Sequence, residues 1–243
     1  MPEITKNQLK HIRLLKQKKY RQQHAEFVVE GEKNIIELLK SAFAIKAIFA
    51  TEEWKRPHLE MNVTPITQKQ LSQISSLSTP DKVIAIAKIP KTTTELKFNS
   101  AITLCLDSIN DPGNLGTIIR TADWFGIKNI VCSANSVDCY NPKVVQATKG
   151  SIFNINVTYT SLEDVFTSHN IHVYGAALNG KEINTKFSPE TPCFLLMGSE
   201  SHGISPILES FVTHALKIPQ IGKAESLNVA IATSILLHQF TIK

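Results

Sequence analysis

Five polar residues in three short loops are the natural candidates for chemistry in this sequence. Residues 110–120, NDPGNLGTIIR, offer Asn114 and Arg120. Residues 197–205, MGSESHGIS, offer Glu200 just after a glycine break. Residues 218–228, IPQIGKAESLN, offer Ser226 and Asn228 at the head of a very apolar run. Each loop contains glycine, which lets backbone approach a ligand closely, and one or two groups able to hydrogen-bond it. Taken singly, each has a structural reading: a capping Asn, a surface Glu, a capping Ser. Three such loops at three strand ends outweigh it, because open α/β sheets bind ligands beyond the carboxyl ends of their strands.

The elements that must position these loops follow from apolar patterning. Residues 102–106, 193–197 and 215–218 read as short buried strands. Asp111-Pro112-Gly113 is turn chemistry, after which Asn114 is expected to cap a helix whose apolar face is Leu115, Ile118, Ile119, Ala122 and Phe125. Further strands are expected at 129–133, 152–157 and 171–178, helices at 142–147 and 161–168, and a turn at Asn179-Gly180. Ser205-Pro206 is a helix start with Ser at the N-cap. Residues 226–240 form a last helix that is apolar nearly all round. Such a helix is buried by the sheet, by a partner subunit, or by both.

The first ninety residues read differently. They carry 15 Lys and Arg against 9 Asp and Glu, whereas residues 91–243 carry 11 against 12, so the net charge of +5 belongs wholly to the first part. Residues 4–21 read as a basic helix with a thin apolar stripe of Ile4, Leu9, Ile12, Leu15 and Tyr20. Lys10, Arg13, Lys16 and Arg21 stand around that stripe, and phosphate contact is favoured for them over a merely solvated face. Strands at 27–29, 44–50, 62–66 and 81–89 alternate with helices at 32–41 (Ile35, Ile36, Leu38 and Leu39 inward) and 67–76. That alternation implies a small α/β domain. The expected organisation is a polyanion-binding domain over 1–90, a polar linker over 91–99 and a second domain over 100–243.

Other classes are excluded or bounded. A hydrophobic content of 42% supports a packed core, no apolar run is long enough to span a bilayer, and no secretory signal is expected. The four cysteines lack metal spacing, Cys105 and Cys193 sit in core-like runs, and a reducing, cytoplasmic location is expected. No metal is expected, because no His/Cys/carboxylate cluster would hold one. An NAD-type oxidoreductase fails for want of a G-x-G-x-x-G after a strand.

NxGxxxR at 114–120, MGSE at 197–200 and IPxxGxxESLNVAxA at 218–232 resemble the three motifs of the SpoU/TrmH family, RNA ribose 2′-O-methyltransferases of the SPOUT class. The resemblance spans roughly 100–243. The first ninety residues resemble, more loosely, the family's small substrate-binding domain related to ribosomal proteins. The resemblance implies a parallel-sheet domain with a C-terminal trefoil knot, a homodimer, and S-adenosyl-L-methionine as cofactor. It makes Arg120, Glu200, Ser226 and Asn228 catalytic and gives Asn114 to the RNA. The cofactor would be held mostly by backbone at Leu178, Met197, Gly198, Ile218, Gln220 and Leu227. Ribosomal RNA is favoured over transfer RNA; a non-catalytic RNA-binding protein on the same fold is the remaining alternative. The sequence departs from the family pattern at Ser201-His202, where a positive φ at 201 would be strained. Lys149-Gly150-Ser151 is a further candidate for RNA contact.

Overall fold

The computed structural model describes residues 3–58, 60–91, 101–184 and 187–242. The chain forms two compact units. The first comprises Met1–Thr92 with Asp138–Phe153, and the second Thr93–Val137 with Asn154–Lys243. All but the first residue of the 91–99 linker lie outside the described residues.

The first unit contains α1 (Lys6–Leu14), α2 (Lys18–His24), β1 (Glu26–Glu30), α3 (Glu32–Lys40), β2 (Ile45–Ala50), α4 (Glu52–Lys55), β3 (Val63–Pro65), α5 (Gln68–Ile74) and β4 (Val83–Lys88). Its mixed sheet has the order β1-β4-β2-β3. Period-two alternation buries both faces: Phe27, Val29, Val83 and Ala85 join one core cluster, and Val28, Ile84 and Ile86 the other. The expected basic helix is broken into α1 and α2. Arg21 explains the break. Its guanidinium is only 2% exposed and accepts no solvent role: it donates to the carbonyls of Leu15 and Lys16 at 3.0 and 2.8 Å, closing the C-terminus of α1. The same group donates to Asp138 at 2.6 and 2.9 Å, within the excursion that belongs to this unit. Ile36, expected inward, lies on the exposed side of α3, while Ile35 and Leu38 are buried.

The second unit contains β5 (Ile102–Leu106), α6 (Pro112–Trp124), β6 (Asn129–Cys132), β7 (Asn156–Tyr159), α8 (Leu162–Ser168), β8 (His172–Glu182), β9 (Cys193–Met197), α9 (Pro206–Glu209), β10 (His214–Lys217) and α10 (Val229–Thr241), with α7 (Pro142–Thr148) lying in the excursion. The six strands are all parallel, in the order β10-β8-β9-β5-β6-β7. The central strands β5 and β9 are buried along their whole length, which is why they read as unbroken apolar runs. The expected strand at 152–157 is instead a 3-10 turn at Ser151–Phe153 followed by β7. The backbone has already turned there, at Lys149 (φ 52°) and Gly150 (φ 100°). Among the described residues no helix is long and apolar enough to cross a membrane. Cys105, Cys132, Cys139 and Cys193 are buried and in no disulfide, and burial pushes the Cys193 thiol up to about 12.

A buried acid fixes the charge pattern of the first unit. Glu26 is 2% exposed and accepts from Lys88 at 2.6 Å, Lys46 at 2.7 Å and His11 at 2.7 Å. Burial opposes its charge, but the hydrogen bonds from Lys46, Lys88 and His11 win and hold the carboxyl at about 2, below the ordinary 4.5. A depressed carboxylate stabilises the fold fully above its unfolded pKa and loses that contribution as pH falls through its folded one. Glu26→Gln is therefore expected to cost about 2 kcal/mol at neutral pH. The gap from wild type should shrink as pH falls from 4.5 towards 2. Urea midpoints across that range check it, and a pH-independent gap would contradict it.

Candidate active site

The site forms where strand order reverses at the centre of the second sheet. The chain runs outward from β5 through β6 to β7, then returns to the other side as β8, β9 and β10. Loops leaving β5 and β9 therefore diverge from adjacent carboxyl ends, the position where open parallel sheets hold ligands.

The loop after β9 is shaped by two glycines. Ser199 and Gly203 pair in a tight hairpin, with Ser199 N donating to Gly203 O at 2.9 Å and Gly203 N to Ser199 O at 3.0 Å. A Cβ on Gly198 would stand 2.0 Å from the carbonyl carbon of Gly203, so no side chain fits. The left-handed residue is Gly203, at φ 67°; Ser201 does not take a positive φ, so the strain expected there is not present. Asp107, buried at the end of β5, receives Ser205 N on Oδ2 at 2.8 Å and donates its own N–H to Met197 O at 2.9 Å. It pins the exit of the loop that carries Glu200.

At the start of α6 the N-cap is Asp111, whose carboxylate accepts Asn114 N at 2.8 Å, with Pro112 in the first turn. Asn114 is thus not the cap. The Asp-Pro pair, a cap followed by Pro at N1, was the signal for this. Relieved of capping, the Asn114 side chain meets Asn228. Asn228 caps α10: its Oδ1 accepts Ala230 N at 3.0 Å and Ile231 N at 3.3 Å. Its Nδ2 then donates to Asn114 Oδ1 at 2.9 Å and to Glu200 Oε1. Val229 N also donates to Glu200 Oε1, at 3.4 Å. Backbone donors on one side of the amide and a carboxylate on the other fix its orientation.

The structure thus joins Asn114, Glu200 and Asn228 directly. Ser226 is exposed and lines a cavity of about 590 Å³ with Glu200. Leu178, Met197, Gly198, Ile218, Gln220 and Leu227 all line that same cavity. The Gln220 amide donates to the carbonyls of Gly222 and Ala224 at 3.2 and 2.7 Å, so its side chain folds the loop. Arg120 is exposed on α6, and its side chain makes no hydrogen bond or ion pair among the described residues. His202 is exposed too, and its backbone N–H donates to Ser199 Oγ at 3.2 Å.

The cavity's remaining wall comes from β8. Its register against β10 jumps from Gly175↔Ala215 to Lys181↔Leu216, so the residues between bulge out. Asn179-Gly180, expected as a turn, lies in that bulge inside the strand's span. A Cβ on Gly180 would meet Ala215 backbone at 2.6 Å. Ala176, Ala177, Leu178 and Asn179 from the bulge all line the cavity. In the first unit, Arg13 donates to Gln73 O and Oε1 at 3.1 and 2.9 Å, and Lys16 to Ser75 O at 2.6 Å. Both close the C-terminal end of α5, whereas Lys10 is exposed.

A parallel sheet whose strand-end loops enclose a cavity beside a carboxamide–carboxylate cluster is that of a ligand-binding α/β enzyme domain. Residues 101–238 match the model of the SpoU rRNA Methylase family, and residues 6–85 that of the MRM3-like substrate binding domain. The chain belongs to the SpoU rRNA methylase family. It is 32% identical over 243 residues to the 23S rRNA (guanosine(2553)-2'-O)-methyltransferase RlmP of Bacillus subtilis, covering 97% of each protein. A TrmH-family protein from Porphyromonas gingivalis superposes with a TM-score of 0.86 at 35% identity, over 98% of both chains. An AdoMet-bound rRNA methyltransferase from Sinorhizobium meliloti superposes with a TM-score of 0.85 at 30% identity, over 98% of this chain and 95% of that one.

The close approach at Gly198 gives a direct check. Gly198→Ala is expected to lower stability by about 1–3 kcal/mol through overpacking against backbone. Chemical denaturation measures this, and a variant as stable as wild type would contradict the hairpin geometry.

Proposed function

We propose that this chain transfers a methyl group from S-adenosyl-L-methionine to a ribose 2′-hydroxyl of ribosomal RNA. Residues 1–90 serve as the RNA-binding domain and 100–243 as the methyltransferase domain. The observation that carries the reading is the Asn228 amide, which ties the loops of Asn114 and Glu200 together beside one cavity. The activity and substrate named for RlmP, at 32% identity over nearly the whole length of both chains, support the choice of ribosomal over transfer RNA.

The cavity fits the cofactor. Its volume of about 590 Å³ lies within the range of about 300–1,000 Å³ usual for small-molecule sites. Leu178, Met197, Ile218 and Leu227 offer apolar walls for a nucleoside, and Glu200, Glu209 and Glu225 offer negative charge to a cationic ligand. Bound there, the cofactor supplies a methyl carbon made electrophilic by its sulfonium.

The chain's own residues do the rest. Methyl transfer to a hydroxyl needs alignment of the acceptor oxygen and release of its weakly acidic proton to solvent as the O–C bond forms and the S–C bond breaks, and alignment alone is worth roughly 7–11 kcal/mol at best. A guanidinium is a permanent cation and a poor base, so Arg120 stabilises the negative charge developing on the 2′-oxygen and grips a flanking phosphate. Asn114, Glu200 and Asn228 hold the two loops in place, and Ser226 orients the ribose. The reaction needs no metal, and the 2′-hydroxyl itself selects RNA over DNA.

The trefoil knot and the homodimer are part of this reading. The knot is supported by the path of the last segment, which leaves the sheet edge at β10 and brings α10 back against α6, the helix that follows central β5. The dimer is supported by Ile231 and Ile235 left exposed on α10 and Ile242 just beyond its end, with Trp124 of α6 85% exposed. The setting is the reducing cytoplasm, in keeping with four buried cysteines that form no disulfide.

Arg120→Ala is expected to lower methyl transfer at least a hundredfold while leaving S-adenosylmethionine affinity within about twofold, since one charge-stabilising group is typically worth 10²–10³ in rate. Labelled-methyl transfer assays and calorimetry check the two halves. A variant retaining most of its activity would remove Arg120 from the reaction.

A further inference from the structure

The first unit has a cavity of its own, of about 270 Å³, between β1, the turn after α5, and α7. Val28, Leu77, Val145 and Ala147 give it apolar walls. Its polar end is Glu30, which is 7% exposed. Ser75 Oγ donates to Glu30 Oε1, and Ser76 N donates to Oε2 at 2.9 Å. Those two bonds leave acceptor capacity on both oxygens. Two lysines of α7 and its cap, Lys143 and Lys149, line the same cavity. Both are exposed, and neither side chain has an ion pair or hydrogen bond among the described residues. Lys149 sits in the left-handed region at φ 52°, immediately before Gly150.

Together these features match one ligand chemistry. The volume suits a single planar ring system and is below that usual for a larger ligand. An apolar slot with an acceptor at its end takes a base face and a base N–H, as proteins read splayed-out bases of RNA. Unpaired lysines at the same cavity take the flanking phosphates. We propose that this cavity holds one unpaired nucleotide of the RNA substrate, with its base against Val28, Leu77, Val145 and Ala147 and its phosphates on Lys143 and Lys149. The proposal rests on the RNA methyltransferase reading and adds a recognition site apart from the methyl-transfer cavity. It also gives Lys149-Gly150-Ser151 a defined place. Gly150 leaves no room for a side chain, because its Cβ would lie 2.6 Å from Glu37 Cγ.

The test uses the full chain and unmodified 23S rRNA transcript, with filter binding across a salt series and calorimetry for S-adenosylmethionine. The double variant Lys143→Ala/Lys149→Ala is expected to bind RNA at least tenfold more weakly, with the salt slope reduced by about 1.4–1.8 for two lost phosphate contacts. Ala147→Leu, which fills the slot without changing charge, is expected to weaken binding about fivefold at an unchanged slope. Cofactor affinity should stay at the wild-type value in both. Should Ala147→Leu lose cooperative unfolding, Leu77→Gln on the half-buried turn carries the same arm. Wild-type RNA affinity in the lysine variant overturns the site. A lysine effect with no slot-filling effect overturns base insertion and leaves only a charged face. A wild-type chain that binds no 23S rRNA fails at the first measurement, and overturns the RNA reading together with this pocket.

Discussion

The side-chain amide of Asn228 is the contact on which the catalytic half of the molecule depends. Its oxygen is committed to the first turn of α10, so its nitrogen can only face acceptors, and it faces two. One belongs to Asn114 on α6, the helix after β5, and the other to Glu200 in the loop after β9. These loops leave neighbouring strands on either side of the switch in strand order. Three segments far apart in sequence are thereby held by one group that also fixes where the last helix starts. Capping and site assembly are the same interaction.

Backbone proximity does the remaining work. The hairpin at Ser199 and Gly203 closes only because position 198 has no side chain, and the β8 bulge packs on β10 only because position 180 has none. Between them lies the cavity, walled by backbone of three strand ends and by apolar side chains. Charge is handled separately: Arg120 is kept on an exposed helix face, while Asp107 and Glu200 are tied to backbone N–H groups. That separation suits a reaction in which a fixed cation meets developing negative charge and the carboxylates keep loops in place.

Much of the site was legible before the fold. Glycine breaks after apolar strands, followed by Asn, Glu or Ser, occur three times; of the residues they nominated, Asn114, Glu200 and Asn228 bond to one another and Glu200 and Ser226 line one cavity, whereas Arg120 does neither. Element order in the second unit was legible because buried parallel strands read as unbroken apolar runs, and in the mixed sheet of the first unit because apolar strand stretches alternate with amphipathic helices. What escaped was long-range. Asp138–Phe153 packs into the first unit, and its anchor is Arg21, which in sequence looks like one more surface cation. Neither residue advertises a partner more than a hundred positions away. Asn114 was misread as a cap because asparagine suits that role, although Asp111-Pro112 suits it better. Arg13 and Lys16 looked like phosphate ligands, yet they also satisfy carbonyls at the end of α5. A basic stripe shows charge but not which charges are already used.

The first unit divides its positive charge accordingly. Lys46 and Lys88 neutralise buried Glu26, and Arg21 neutralises Asp138. Lys10, Lys143 and Lys149 remain exposed for a polyanion. The most direct measurement on the whole molecule is nucleoside mass analysis of unmodified 23S rRNA after incubation with the full chain and methyl-labelled S-adenosylmethionine. Label on the ribose, recovered as a single 2′-O-methylated nucleoside, is the predicted result. Label on a base, or RNA left unlabelled by a folded chain that binds the cofactor, would contradict it.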